Sequence, residues 1–536
     1  MKGVVVAPEP MAAEVGADVL RAGGNAFDAA VAAAFAQAVF NPFQCGLGGW
    51  GGATLYDAAT GACEDLAFPA RIGSRMRPDM WVDDIAGYTD VWHYALFEDR
   101  RNMIGYTAVM TPGTVAGLGE LHRRHGSTAW AELLAPSIEW SDRGFAWPEY
   151  VAMYCRSPYL PDLPHPRDKY CATPAAAALF QRADGTMLER GDHYRNPDQA
   201  ASLRAIAVNG PAELSTGALA DVVAEDFERN GAFVTREDLA TYRPRWSSPL
   251  EGSYRGLRVA TATLPAGGII LLQMLKVLER FELRGLEHNG PEHGFLVSAA
   301  LAWGGVTRFR HLSDPEHSEV PVDHLLSDDV ADEVAARIRA GELPDAVTLD
   351  KPSGTSHLTI VDEQGNCVSL THTLTSCSGV VVPGTGFTWN DCVALMDPRP
   401  GRPNSYVPGR ARASALATTI VFADDAPWLV LGAPGGWSVT SGVLQSIVNI
   451  VDFGMTPTEA VVAPRFHSEG TPVFCELRVP QRTVRALRDR GVPLRQSLYH
   501  YHASFSRPQV VMITEDGYRA ASDPRSDGGA AVHSTG

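Results

Sequence analysis

Residues 355–375 concentrate hydroxyl side chains, with Thr355, Ser356, Thr359, Ser369, Thr371, Thr373 and Thr375 inside one short stretch. A threonine hydroxyl is a poor nucleophile until a base takes its proton. A threonine that begins a chain carries that base itself, because its α-amino group has an ordinary pKa of about 7.7–8.0. The stretch SHLTIVDEQGNCVSLTHTL alternates around the turn at residues 362–366, as a β-hairpin does. With the loop centred on Gln364, Thr355 faces Thr373, and both share one side of the sheet with His357, Thr359, Ser369 and Thr371. Leu358, Ile360, Val368 and Leu370 take the other side. A half-solvated hairpin that uses threonine for its strand propensity gives the same pattern, so pattern alone leaves both readings open. A one-residue slip would undo the pairing.

The segment ahead of this hairpin, residues 340–355, is polar, carries two prolines and ends Ser-Gly-Thr. It reads as an exposed, flexible connection and is the best boundary in the chain. Upstream the texture is helical. Residues 9–22 form a helix stopped by Gly23-Gly24, and Asn25 caps the next one, AFDAAVAAAFAQAVF, whose alanines permit very close packing. Further helical segments fall at 130–144, 196–208, 216–231 and 269–282. Downstream, strands are predicted at 418–423 and 428–432, and VMITEDGYRAA reads as a second hairpin, which makes an α/β protein. The glycine-rich residues 45–52 lack the Lys-Ser/Thr ending of a phosphate loop.

A chain of 536 residues with 45% hydrophobic and 20% charged residues has the composition of a folded protein with a large core. Its formal net charge of -17 argues against a nucleic-acid partner, since such affinity comes from Lys and Arg on phosphates. The start, MKGVVVAPEP, lacks the apolar core of a secretory signal, and no run reaches the roughly 18–20 apolar residues of a membrane span. A cytoplasmic protein with no membrane partner is the natural expectation. The eight cysteines include no C-x-x-C pair and read as buried free thiols. His500-Tyr501-His502 lacks a third ligand nearby and reads as a polar loop, so no metal site is expected.

Seven stretches, in order, change the balance at Thr355. They are residues 23–34 (GGNAFDAAVAAA), 111–118 (TPGTVAGL), Gly267-Gly268 ahead of LLQML, Thr355-Ser356-His357 with VDEQGN, 431–436 (LGAPGG), 452–467 (DFGMTPTEAVVAPRFH) and 521–530 (ASDPRSDGGA). Together they resemble the gamma-glutamyltranspeptidase family over nearly the whole chain. The resemblance implies an α/β fold, a four-layer αββα sandwich of the N-terminal-nucleophile hydrolases. It also implies self-cleavage between Gly354 and Thr355. A large fragment, residues 1–354, and a small catalytic fragment, residues 355–536, would then form one intertwined domain. Thr355 is the implied nucleophile, Thr373 orients its hydroxyl, and the Gly435-Gly436 amides form the oxyanion hole. No cofactor is implied.

The chain departs from the family where glutamate would be gripped. By ungapped matching, the family arginine that holds the α-carboxylate falls at Pro69, and the acid that pairs with the amino group falls at Leu395. The family Asn becomes Thr375, its Gln or Glu becomes Cys392, and its serine pair becomes Ser414-Ala415. An ammonium buried opposite Leu395 would cost several kcal/mol. Arg71, Arg75 and Arg77 lie close enough in sequence to Pro69 for one, Arg71 first, to hold a carboxylate instead. The expected partner is therefore a small-molecule amide whose acyl part is not gamma-glutamyl. Three alternatives stay open: a biosynthetic relative that hydrolyses a C–C bond, a true gamma-glutamyl enzyme, and a silent binding homologue. The sequence leaves the oligomeric state open, a homo-oligomer included.

Overall fold

The computed structural model describes residues 2–88, 95–156, 164–344, 354–502 and 504–533. Most of the connection that precedes Thr355 lies outside them. Two antiparallel sheets stack face to face, each covered by helices on its outer side, giving the αββα order helix, sheet, sheet, helix. In the first sheet the strands run Gly529–His533, Gly3–Ala7, Gly354–Val361, Cys367–Thr375, Trp50–Asp57, Ala62–Phe68 and Arg245–Ser247. The second runs Gly517–Ser522, Gln509–Thr514, Ala426–Gly432, Thr419–Ala423, Leu257–Thr261 and Leu250–Tyr254. Both sheets take strands from either side of residue 354, so neither half of the chain completes a sheet alone. Among the described residues, no helix is long and apolar enough to cross a membrane.

Helix Ala26–Phe40 is buried along its whole length. Its start is fixed by a capping box in which the Asn25 side chain accepts from the Asp28 amide and the Asp28 side chain accepts from the Asn25 amide. Alanine at most positions lets this helix lie against the strands Gly354–Val361 and Cys367–Thr375 on one side and the helix Trp130–Arg143 on the other. Leu358, Ile360, Val368 and Leu370 point into that helical layer.

The hydroxyl side of the hairpin is not half-solvated. The second sheet covers it, and Thr355, His357, Thr359, Ser369, Thr371 and Thr373 are all buried. Each buried hydroxyl needs a partner, and the intersheet layer supplies them. Ser369 donates to the Leu431 carbonyl at 2.8 Å, Thr359 donates to the Gln509 carbonyl at 3.0 Å, and His357 bridges Thr371 and Thr359 at 2.7 and 3.0 Å. Toward the far end the same layer becomes apolar, with Val4, Val6, Val361, Ile420, Val430 and Val511 in contact. Register is thereby fixed from both sides. A slip by one residue would forfeit about 1.5–3 kcal/mol for each apolar side chain moved and strand hydroxyls at about 1–3 kcal/mol each.

The glycines at residues 45–52 serve this packing. A Cβ on Gly49 would lie 2.5 Å from the Thr373 carbonyl oxygen, and one on Gly51 would lie 2.2 Å from that of Thr371. Only glycine lets this backbone approach the strand that carries Thr373 so closely.

Gly51→Ala should overpack the sheet and lower stability by about 1–3 kcal/mol, whereas Gly285→Ala, where an added Cβ meets nothing within 4 Å, should leave it unchanged. Equal denaturation midpoints for the two variants would refute the close-approach account. Burial holds His293, His357, His372 and His467 at a pKa of about 3, against an ordinary 6.5. Between those values the unfolded chain binds protons that the native chain refuses, so these groups subtract stability as pH falls from 6.5 toward 3. Asp65, raised to about 7 by burial, acts in the opposite sense between its ordinary 3.8 and 7. Urea midpoints at pH 7 and pH 5 should therefore differ less for His357→Gln than for the unmodified chain; an unchanged difference would count against a neutral buried imidazole.

Candidate active site

Thr355 lies one residue inside the strand Gly354–Val361. The pairing with Cys367–Thr375 is regular from Ser356 opposite His372 to Val361 opposite Cys367, then shifts so that Gly354 pairs with Thr375. One residue on the first strand thus faces two on the second, a bulge of the kind that re-aims a side chain. Across it the Thr355 hydroxyl donates to the Thr373 hydroxyl at 3.2 Å, and the Thr375 amide donates to the same Thr373 oxygen at 2.7 Å. Thr373 is held by backbone while it meets Thr355.

Thr375 carries the geometric cost of the bulge. Its φ of 71° is rare for a β-branched residue and costs of the order of 1–3 kcal/mol. Its hydroxyl contacts the Cys392 thiol at 3.2 Å and accepts from the Trp50 indole at 3.4 Å. Burial pushes the Cys392 thiol up to about 12, so this cysteine stays protonated at neutral pH and is no thiolate nucleophile.

Behind the strand, away from the second sheet, lies a buried polar cluster. Glu9 accepts from Ser356 at 2.7 Å, Gln37 at 2.7 Å and Asn41 at 2.6 Å, and burial raises its carboxyl above the ordinary 4.5. The Arg507 guanidinium reaches the Thr355 carbonyl at 3.5 Å, while the Arg507 amide donates to the Pro434 carbonyl at 2.9 Å. Arg507 therefore ties the strand of Thr355 to the turn that contains Gly435 and Gly436. These glycines have φ of 142° and 59°, and a Cβ on Gly435 would lie 2.6 Å from Ser506 Cα. Among the described residues neither of their amides donates a hydrogen bond. Helix Ser438–Val451 starts directly after the turn, adding the positive end of its dipole to a place suited to developing negative charge.

The remaining sequence candidates divide. Thr375 and Cys392 join the Thr355 cluster, as above. Leu395 ends the short helix Cys392–Leu395 and lines a cavity of about 490 Å³ with Arg308, Met396 and Asn404. Ser414 donates its amide to the Pro265 carbonyl. Arg71 is turned elsewhere: its guanidinium grips both Glu316 oxygens at 2.8 and 3.2 Å and lies 3.9 Å from Asp314. Arg75 pairs with Glu228 and Arg77 with Asp79. Asp314, Glu316 and His317 come close enough to hold a cation, but Arg71 and Arg245 already occupy those carboxylates. At the polar loop His502 bonds Ser504, and Arg478 stacks on Tyr501.

Sequence reading missed Trp50, Arg412 and Trp437. The Arg412 guanidinium, 3% exposed, sits 4.8 Å from the Trp50 ring and 5.9 Å from that of Trp437. Trp437 follows the paired glycines and Arg412 precedes Ser414 by two residues, so adjacency to assigned positions was the available signal.

A family model for gamma-glutamyltranspeptidase matches residues 12–533. The glutathione hydrolase proenzyme of Escherichia coli is 31% identical, over 98% of this chain and 90% of its own. Acylase ACY 1 proenzyme of a Pseudomonas species is 33% identical, over 91% of this chain and 87% of its own. Among solved structures, the cephalosporin acylase from Bacillus halodurans superposes with a TM-score of 0.88 at 27% identity, covering 100% of this chain and 96% of its own. The chain belongs to the gamma-glutamyltranspeptidase family and is an N-terminal-nucleophile amidohydrolase.

Proposed function

We propose that the chain cuts itself between Gly354 and Thr355 and then uses Thr355 to hydrolyse an amide whose acyl part is not gamma-glutamyl. The observation that carries the reading is the 3.2 Å contact between the Thr355 and Thr373 hydroxyls at the start of a buried strand. In the precursor the Thr355 hydroxyl attacks the Gly354 carbonyl, the Gly354–Thr355 C–N bond breaks to leave an ester and a free α-amino group on Thr355, and water then hydrolyses the ester to release the Gly354 carboxylate and restore the hydroxyl. That amine takes the hydroxyl proton in each later turnover, with a pKa suited to neutral pH. The Gly435 and Gly436 amides receive the oxyanion of the tetrahedral intermediate, where loss of one donor typically lowers kcat by about 10²–10³-fold. Proenzymes among the relatives support processing into two fragments of one precursor.

The substrate reading rests on missing partners. Pro69 and Leu395 offer no charge to a glutamyl carboxylate or ammonium, and Arg71 is committed to Glu316. The relatives include both a glutathione hydrolase and acylases, and the loss of the glutamate partners favours acylase-like use of the site.

Purified protein should resolve into two fragments, the smaller beginning at Thr355, while Thr355→Ala should stay a single inactive chain. Full activity from an uncut chain, or a small fragment beginning at another residue, would sink the proposal. Gamma-glutamyl anilides should be turned over slowly by the unmodified enzyme, since misorientation alone lowers rates by about 10²-fold. Pro69→Arg combined with Leu395→Asp should raise that turnover more than either change alone. Turnover of gamma-glutamyl anilide by the unmodified enzyme at the rate of its best amide would restore the plain glutamyl function.

A further inference from the structure

Glu9 is a buried acid that the chemistry described so far does not use. It stands at the N-cap of the helix Pro10–Arg21, yet its side chain makes no capping bond; its carbonyl receives the Ala12 and Ala13 amides at 3.1 Å each. The strand Gly3–Ala7 pairs with Gly354–Val361 from Val4 opposite Val361 to Val6 opposite Thr359, and the chain then turns away into that helix. Continued in the same register, the pairing would bring Glu9 opposite Ser356, and there the Glu9 side chain takes the place of the backbone ladder. Ser356 donates to its carboxylate at 2.7 Å, and Gln37 and Asn41, at the end of the helix Ala26–Phe40, donate at 2.7 and 2.6 Å. The same Gln37 nitrogen lies 2.5 Å from the Ser356 hydroxyl and 3.2 Å from the His357 carbonyl. The Gln37 oxygen accepts at 2.9 Å from His372, the residue paired with Ser356. These side chains are all buried.

We propose that Glu9 is a positioning residue for the reaction: by holding Ser356 it fixes the first regular pair of the hairpin, and so the bulge that aims the Thr355 hydroxyl at Thr373. Ser356 opposite His372 is the pair at which regular register ends and the shift to Gly354 begins. Once the bond ahead of Thr355 is cut, this strand starts at a free end, and chain ends fray unless something ties them down. Backbone pairing ties its first residues on the side of Cys367–Thr375 only. On the other side the ties are side chains, Arg507 at the Thr355 carbonyl and Glu9 at Ser356. Glu9 belongs to the large fragment, so its contact also joins the two fragments across the cut. Ser356 and Thr355 point to opposite faces of the strand, so Glu9 acts through the backbone and not on the substrate. The inference rests on Thr355 being the hydrolytic nucleophile. What Glu9 supplies is acceptors, and an amide oxygen at the same place can serve Ser356 and Gln37 equally. The buried Asn41 oxygen has no partner among the described residues, so the Asn41 amide can turn to accept from a glutamine at position 9.

The test follows two rates: self-cleavage of freshly synthesised precursor, a first-order step that needs no added substrate, and hydrolysis of a series of acyl p-nitroanilides by the processed protein. Glu9→Ala and Ser356→Ala should each slow cleavage and lower kcat by about 10–100-fold, up to what a misplacement of about 1 Å costs, with KM unchanged. The double variant should lose no more than the slower single one, because both changes break the same link. Glu9→Gln, which keeps an acceptor at Ser356, should restore both rates to within a few-fold of the unmodified chain. Ser356→Ala is the milder change and carries the test if Glu9→Ala does not fold. Unchanged rates in a folded Glu9→Ala or Ser356→Ala variant, a loss confined to KM, losses that multiply in the double variant, or Glu9→Gln as slow as Glu9→Ala would overturn the assignment. Any of these results with Thr355→Ala inert would leave the nucleophile standing, whereas cleavage or hydrolysis that survives Thr355→Ala would remove the ground for both.

Discussion

A polar group taken out of water between two sheets costs about 1–3 kcal/mol unless it finds a partner, and the arrangement around Thr355 follows from meeting that demand. Between Thr355 and Thr359 and between Ser369 and Thr373 the inner face of the hairpin carries hydroxyls and an imidazole, and it turns apolar only at Val361. Ser369 and Thr359 answer to carbonyls of the facing sheet, and His357 stays neutral between two threonines. Thr373 is held by the Thr375 amide, so the oxygen that meets Thr355 is fixed before any substrate arrives. Local pairing and global stacking therefore position Thr355 together. Backbone geometry gives way next to this pair, at Thr375, which takes a positive φ.

Much of this was legible in sequence because it depends on alternation. A period of two from Thr355 to Thr373 defines the hairpin, its register and the opposing hydroxyls, and the structure reproduces the pairing up to the bulge. The helix Ala26–Phe40 was readable from its cap and its alanines. Whether the hydroxyl face met water or a second sheet was not, because the covering strands Thr419–Ala423, Ala426–Gly432 and Gln509–Thr514 lie far away along the chain. The short strand Gly3–Ala7 reads in sequence only as a valine run. Its place beside Gly354–Val361 is a long-range pairing that no local pattern encodes.

Charged side chains were the least legible part. Arg71 is close to Pro69 in sequence, yet Glu316, some 245 positions away, fixes its direction. Arg412 reads in sequence as one more basic residue in the run Arg410-Ala411-Arg412, and only the fold brings Trp50 and Trp437 to it. Long flexible side chains take their direction from tertiary neighbours, whereas strand residues take theirs from the backbone.

The most direct test of Thr355 as nucleophile is to trap its acyl intermediate. Processed enzyme is mixed with excess of its best anilide substrate, quenched in acid during the burst of product release, digested and mapped by mass spectrometry. The account predicts one added acyl group on the peptide that begins with Thr355, located on that residue by fragmentation. An acyl group on any other residue, with the Thr355 peptide unmodified during active turnover, would contradict it.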